Sequence, residues 1–327
     1  MKRPDLFIVG AQRCGTTALD AYLGRHPQIF MCRPKEPHHF CPDLNNRVDR
    51  FIRDRTEYLR LFEGATTEMR SGEASPFYLY SKRAPTAIQQ FCPHASIVIM
   101  LRNPVDFLYS LYHERFYYGH LYPYHEDLSS FEEALDAEDA RRQGRRLPKG
   151  APRDPQMSFH LFYRDHARFA EQVKRYYDTF PREQIHVILY EDFTRNLSAV
   201  YRNLCDFLGV DASFQPQFER VNANKNVRHA SLLRMVGRPN AALKAVAKAV
   251  MPTGFRRAVV REAIQLGTRI GSPPPMREET RRRLNREFLP EVLRLSQVIG
   301  RDVSYWCRDA AGPTVTAPRF VRRAAAA

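Results

Sequence analysis

Acidic residues and long apolar runs are what this sequence has least of. Asp and Glu together number 36 against 51 Lys and Arg, which leaves a formal charge of +15. Such an excess points to anionic partners: a nucleotide, a phosphorylated or sulfated ligand, nucleic acid or an anionic surface. No apolar run approaches the length of a membrane span, so no integral membrane segment is expected. The six cysteines, at 14, 32, 41, 92, 205 and 307, show no C-x-x-C spacing. They read as reduced thiols, although Cys32 and Cys41 are near enough in sequence to pair. The opening MKRPD passes at once into apolar LFIV and leaves no room for a leader, so a cytoplasmic protein is expected. No internal repeat is visible. Hydrophobic residues still make up 43 % of the 327, enough for one large domain or two small ones.

The most informative stretch is LFIVGAQRCGTT, residues 6–17. Leu6 to Val9 have the length and branching of a buried strand. Gly10, four residues and Gly15 follow, then Thr16-Thr17 and the apolar positions Ala18, Leu19, Tyr22 and Leu23 at helical spacing, stopped by His26-Pro27. Strand, glycine loop and helix N-terminus together turn backbone N–H groups and the helix dipole toward a bound anion. The spacing is nearly that of the nucleotide-triphosphate loop Gly-x4-Gly-Lys-[Ser/Thr], but Thr16 stands at the lysine position. The cation is Arg13, three positions earlier, inside the loop. That exchange suits an anion with a different terminal group better than ATP or GTP hydrolysis. The plain alternative is a βα turn that uses glycine for geometry alone.

Along the rest of the chain, Gln28–Met31 reads as a short strand and CRPKEPHHFCPD as a loop. Residues 47–63 carry a mixed helical pattern. GEASPFYLY reads as a turn and aromatic segment, with a helix from about Pro85. SIVIML, residues 96–101, is a buried strand, followed by Arg102, then Asn103 as helix N-cap and Pro104 at the first helical position. Residues 119–155 are polar and irregular, an insertion with a short helix near 131–142, and 156–180 are helical. IHVILY, residues 185–190, is another strand, with Glu191-Asp192 just beyond it to brace neighbouring loops, and 197–208 form a helix ended by Gly209. Residues 216–235 read as a basic loop, 239–265 as an amphipathic basic helix, 277–299 as a further helix, and the tail after Asp309 as disordered. Strands alternating with helices predict a three-layer α/β fold with a mainly parallel sheet. In such sheets ligands lie beyond the carboxyl ends of the strands. The glycine loop, Glu36, Arg102 and Glu191-Asp192 would then meet at one edge.

Three features combine there. The first is the anion loop with Arg13. The second is Arg102 at a strand end with Ser110 eight residues on; Asn103, Asp106 and Ser110 share a helix face, so Arg102 and the hydroxyl form a second phosphate site, separate from the first. The third is Glu36 between Lys35 and His38, a candidate general base. Lys35 favours the ionised carboxylate and partial burial the protonated one, and the sequence leaves open which prevails. The alternative for Glu36 is a loop carboxylate paired with Lys35 or Arg33. His38 and His39 have no spacing that suits zinc, so no metal is expected.

With these residues on the page, the chain resembles the sulfotransferases that use 3′-phosphoadenosine-5′-phosphosulfate (PAPS). It is nearer to the glycan enzymes, including the heparan sulfate type, than to those for phenols and steroids. The similarity runs from about residue 5 to 307. IVGAQRCGTTAL matches the 5′-phosphosulfate loop, KEPHHF the acceptor-side base, GEASPFYL a substrate-side segment and VIMLRNPVDFLYSLY the 3′-phosphate site. FPREQIHVILYEDF and GRDVSYW are similar to bacterial members. The resemblance implies one sulfotransferase domain over 1–309 with a P-loop-like nucleotide-binding core. It implies Arg13, Cys14, Gly15, Thr16 and Thr17 at the phosphosulfate and Arg102 and Ser110 at the 3′-phosphate. Lys225 and Arg228 would lie in a basic loop over the nucleotide. Glu36 matches the catalytic glutamate and His38 a histidine two residues on. PAPS would be the co-substrate and 3′,5′-bisphosphoadenosine (PAP) the product, with no metal and an acceptor hydroxyl on a glycan or other small metabolite. Ala74 replaces a lysine that heparan-type enzymes set against their anionic substrate, Cys41 replaces an acidic residue near the base, and the disulfide hairpin has no counterpart. The acceptor therefore stays open. The rival classes are a P-loop kinase or NTPase, against which Thr16 and the lack of a clear magnesium-binding aspartate count, and a basic nucleic-acid-binding protein, for which no motif speaks.

Overall fold

The computed structural model describes residues 3–45, 51–154, 157–219, 225–238 and 250–308. In chain order these form β1 (Leu6–Gly10), α1 (Thr16–Leu23), β2 (Ile29–Met31), α2 (Arg55–Arg60), β3 (Arg70–Ala74), α3 (Phe77–Tyr80), α4 (Ala84–Phe91) and β4 (Ser96–Leu101). Then come α5 (Pro104–Leu121), α6 (Phe131–Asp136), α7 (Glu138–Arg142), α8 (Tyr163–His166), α9 (Phe169–Tyr177) and β5 (Ile185–Leu189). The remainder is α10 (Tyr190–Arg195), α11 (Leu197–Leu208), β6 (Lys225–Val227), α12 (Ala230–Gly237), α13 (Thr253–Gly267), β7 (Thr268–Ile270) and α14 (Glu278–Ile299).

Strands β1 to β5 make one parallel sheet in the order β2-β3-β1-β4-β5. Every residue of β1 and β4 is buried, so helices cover both faces of the sheet centre, as a parallel sheet requires. This is the expected three-layer α/β arrangement. The main hydrophobic cluster runs from Leu6 to Cys307, and all six cysteines are free thiols.

One strand of this sheet is absent from the sequence reading. GEASPFYLY was expected to begin as a turn, but its GEA closes β3, which pairs with β1 and β2. RSGEA carries almost no apolar signal because Ser71 and Glu73 are buried polar residues. Gly72 is there for closeness: a Cβ at this position would meet Leu6 Cγ at 2.9 Å. Other boundaries also shift. The described part of the expected 47–63 helix is only α2; residues 46–50 lie outside the described residues. The helix expected over 156–180 is broken into a tight turn, α8 and α9. The supposed basic loop 216–235 contains β6 and α12. Of the expected 239–265 helix, α13 is described; residues 239–249 and the tail from 309 lie outside the described residues.

The polar insertion after α5 is anchored from within. Glu126 and Arg141 are wholly buried and form a two-pronged ion pair at 2.7 and 2.8 Å. Tyr163 donates to the same carboxylate at 2.8 Å. A polar composition therefore hides a well-packed unit.

Candidate active site

The glycine loop follows β1 and is stitched to the end of β4, where Ala11 N–H donates to Met100 C=O at 2.7 Å. Gly15 caps α1 with φ +92°, a conformation that L side chains rarely adopt. No side chain caps the start of α1, so its first amides remain available to a ligand. Thr16 is buried and Thr17 half-buried on the first turn. Cys14 turns its side chain into the core, where burial pushes the thiol up to about 12 despite Arg102 nearby, so it offers the site its backbone only.

Arg13 and Ser110 touch. Arg13 Nε donates to Ser110 Oγ at 3.1 Å, and Arg13 Nη1 pairs with Glu114 at 3.1 Å. The two anion-binding halves, expected to be separate, thus adjoin. The reason is topological: β4 lies beside β1, so α5 leaves β4 alongside the loop that leaves β1. Arg102 stacks on the Tyr190 ring at 4.8 Å and has no ion-pair or hydrogen-bond partner among the described residues. Asn103 caps α5 as expected, accepting from Val105 N–H at 2.9 Å. Glu191 braces this turn by accepting from Asn103 N–H at 3.1 Å, and burial raises its carboxyl above the ordinary value. Glu191 and Asp192 stand on the first turn of α10. Asp106 leaves the site to pair with Arg281.

Glu36 follows β2 as expected. Its carboxylate touches Lys35 Nζ on one oxygen, and the other oxygen lies 3.6 Å from His38 Nε2. Burial pushes its pKa up, but the His38 contact and the Lys35 charge prevail and hold it at about 2. Glu36 remains 34 % exposed, so a substrate can reach it. His38 is fully buried, its ring packed against Phe51 and Phe77 at 5.3 and 4.6 Å. Arg13, Glu36 and His38 have φ of +57°, +65° and +49°. Among the described residues only Arg146 shares that region without being a glycine. Each carries strain of roughly 1–3 kcal/mol, and three of the four such residues stand around this candidate site.

If the clamp on Glu36 is electrostatic, Lys35→Met should raise its pKa. The wild-type carboxyl, depressed from 4.5 to about 2, stays ionised until the pH falls through about 2. Without Lys35 the upward push of burial is opposed by His38 alone, so the titration moves to higher pH. An NMR titration of the Glu36 carboxyl carbon reads this directly; an unmoved midpoint contradicts the clamp.

Sequence reasoning missed three contributors. Glu114 lies four residues beyond Ser110 on the same face of α5, which was a readable signal. Arg115 is buried, and its only partner among the described residues is Gln12 of the glycine loop, at 2.8 Å. Glu73 is fully buried and accepts from Tyr58 and Tyr78 at 2.8 Å each and from Ser75 at 2.6 Å. Ser75 Oγ in turn accepts from His38 N–H at 3.1 Å, so this network holds the Glu36–His38 turn. Lys225 and Arg228 stand exposed on and just after β6. Among the described residues neither makes a hydrogen bond or ion pair to the loop, Arg102 or Ser110. No group of three or more metal-ligating side chains occurs among the described residues.

An anion loop at a helix start, a neighbouring arginine–serine pair and an ionised carboxylate thus stand at one sheet edge. The sulfotransferase-domain family model matches residues 3–262, and the chain belongs to that family. It is similar to a solved sulfotransferase from Alicyclobacillus acidocaldarius, at 32 % identity and a TM-score of 0.69, over 94 % of this chain and 100 % of that one. It is also similar to the membrane-associated sulfotransferase kil1 of Dictyostelium discoideum, 24 % identical over 64 % of this chain and 56 % of that protein. Human carbohydrate sulfotransferase 15 is 29 % identical over 33 % of this chain and 27 % of its own length. The chain thus spans little more than half of one curated relative and about a quarter of the other. Fold and family place it among the sulfotransferases. No described helix is long and apolar enough to cross a membrane.

Proposed function

We propose that this enzyme moves a sulfuryl group from PAPS to an acceptor hydroxyl, on a glycan or another small metabolite. The observation that carries the reading is the contact of Arg13 with Ser110. It brings the loop assigned in this reading to the 5′-phosphosulfate beside the residues assigned to the 3′-phosphate, which supports one nucleotide with two anionic ends as the ligand. Family membership favours sulfuryl transfer over phosphoryl transfer or nucleic-acid binding. The name of carbohydrate sulfotransferase 15 favours a sugar hydroxyl.

In this reading Glu36 takes the hydroxyl proton as the acceptor oxygen bonds to sulfur in line. The bond from sulfur to the bridging oxygen of the 5′-phosphate breaks, and PAP leaves. Arg13 and the amides of residues 15–17 stabilise the charge that grows on that bridging oxygen. The leaving group is already good, so the step calls for no metal, in contrast to kinases. His38 is buried and acts by holding Glu36. Arg102 and Ser110 take the 3′-phosphate, which displaces Arg13 from Ser110. Lys225 and Arg228 remain candidates for the nucleotide's outer side, on the β6–β7 ribbon that packs on α5 through Val227.

PAP should raise the melting temperature without added metal, since a ligand that binds only the native state stabilises it by mass action. ATP with magnesium should do much less. Equal shifts from the two, or strict dependence on magnesium, would overturn the reading.

A further inference from the structure

Among the described residues, eight of the eleven large hydrophobic side chains that stand exposed fall between Met235 and Ile270. Six of them stand on α12, α13 and β7, which with β6 form one unit, and Val250 and Met251 immediately precede α13. Phe255, Val259 and Leu266 of α13 are 58 %, 43 % and 54 % exposed. At spacings of four and seven residues they lie on one face of the helix. The other side of α13 is already used: Ile264 packs on the small cluster of Tyr117, Leu121 and Leu233, and Gly267 sits against Leu233. The apolar stripe therefore points outward.

The same unit is strongly basic. Its described residues, 225–238 and 250–270, carry eight lysines and arginines and one acid, Glu262. A groove of about 660 Å³ beside α13 is lined by Lys225, Arg256, Arg257 and Arg261 together with Val260 and Ile264. A soluble polyanion calls for the cations but not for an exposed phenylalanine and leucine. A protein partner accounts for the apolar stripe but is poorly matched by so many cations that pair with no carboxylate among the described residues. Both features together fit a helix that lies in a lipid interface.

We propose that this unit docks on an anionic lipid bilayer. The α13 helix lies in the headgroup plane, with Phe255, Val259 and Leu266 at the acyl boundary, Arg256 flanking them at the headgroups, and the cations of the opposite, groove-lining face adding longer-range attraction to the anionic surface. The proposal is independent of the donor and acceptor of the reaction.

The test is co-sedimentation of the full chain with vesicles of phosphatidylcholine alone and of phosphatidylcholine with about one third phosphatidylglycerol. The chain should pellet with the anionic vesicles and little with the neutral ones, and less as salt rises from about 0.1 M to about 0.5 M. Phe255→Glu with Leu266→Glu, and separately Arg257→Glu with Arg261→Glu, should each lower partitioning roughly tenfold or more. These sites are exposed, so melting temperatures should not move; if the glutamate pair lowers them, Phe255→Ser with Leu266→Ser replaces it. Wild type that stays in the supernatant with anionic vesicles overturns the proposal. So does an apolar variant that binds as well as wild type, which would mark a surface for polyanions in general. A dimer seen by light scattering that the apolar variant turns into a monomer would show that a second copy covers this face, and overturns it too.

Discussion

Glu36→Gln is expected to lower turnover roughly 10²–10⁴-fold, the usual range for general base catalysis, while PAP affinity stays nearly intact. Glutamine keeps the shape of the side chain and removes the proton acceptor. The carboxylate is the most exposed member of the Lys35–Glu36–His38 group and so the one an acceptor hydroxyl meets most readily. Its low pKa makes it fully ionised at neutral pH. His38 is the rival base. Its burial against Phe51 and Phe77 argues for a positioning role, so His38→Ala should cost less turnover than Glu36→Gln. A Glu36→Gln protein that remains active beside an inactive His38→Ala protein transfers the role to the imidazole. A Glu36→Gln protein that no longer binds PAP shows instead that the residue holds the loop together.

The second large effect concerns the 3′-phosphate. Arg102→Ala should cost roughly 2–5 kcal/mol of PAP affinity, as for a desolvated charge pair that loses one partner. Ser110→Ala should cost about 1 kcal/mol, the range of one hydrogen bond, and somewhat more if the oxygen is charged. Arg102 stacks on Tyr190 and pairs with no carboxylate among the described residues, so the charge is held ready for a ligand. Titration calorimetry with PAP and with adenosine 5′-phosphate separates the two phosphates. Both losses should nearly vanish for the nucleotide without the 3′-phosphate. Equal losses for both nucleotides contradict the assignment. Ser110 also holds Arg13 in the free enzyme, so its removal takes away one of the contacts that orient Arg13 beside Glu114.

What could be read from sequence here followed the strength of local signals. SIVIML and LFIVG are fully buried strands, and a continuous apolar run announces such strands. Asn103-Pro104 announced the start of α5 because cap and first-turn chemistry is local. Strand β3 was illegible because its buried groups are polar: Glu73 is satisfied by Tyr58 and Tyr78, one distant in the chain and one on the next helix. The same holds for the site. Arg13, Gly15, Arg102, Ser110 and Glu36 stand at motif positions and were named. That Arg13 reaches Ser110 depends on β4 lying next to β1, which no local pattern states. The buried His38 ring and the Arg115–Gln12 contact also arise from packing across elements. Lys225 and Arg228 were taken for loop residues because three-residue β6 is too short to show periodicity.

A crystal structure with PAP bound, grown without divalent metal, tests most directly whether one cleft holds both ends of the nucleotide. The 5′-phosphate should sit on the amides of residues 15–17 beside Arg13, and the 3′-phosphate between Arg102 and Ser110, with the Arg13–Ser110 hydrogen bond broken. A nucleotide seated elsewhere, or a cleft in which Arg13 still holds Ser110 at saturating PAP, would contradict that arrangement.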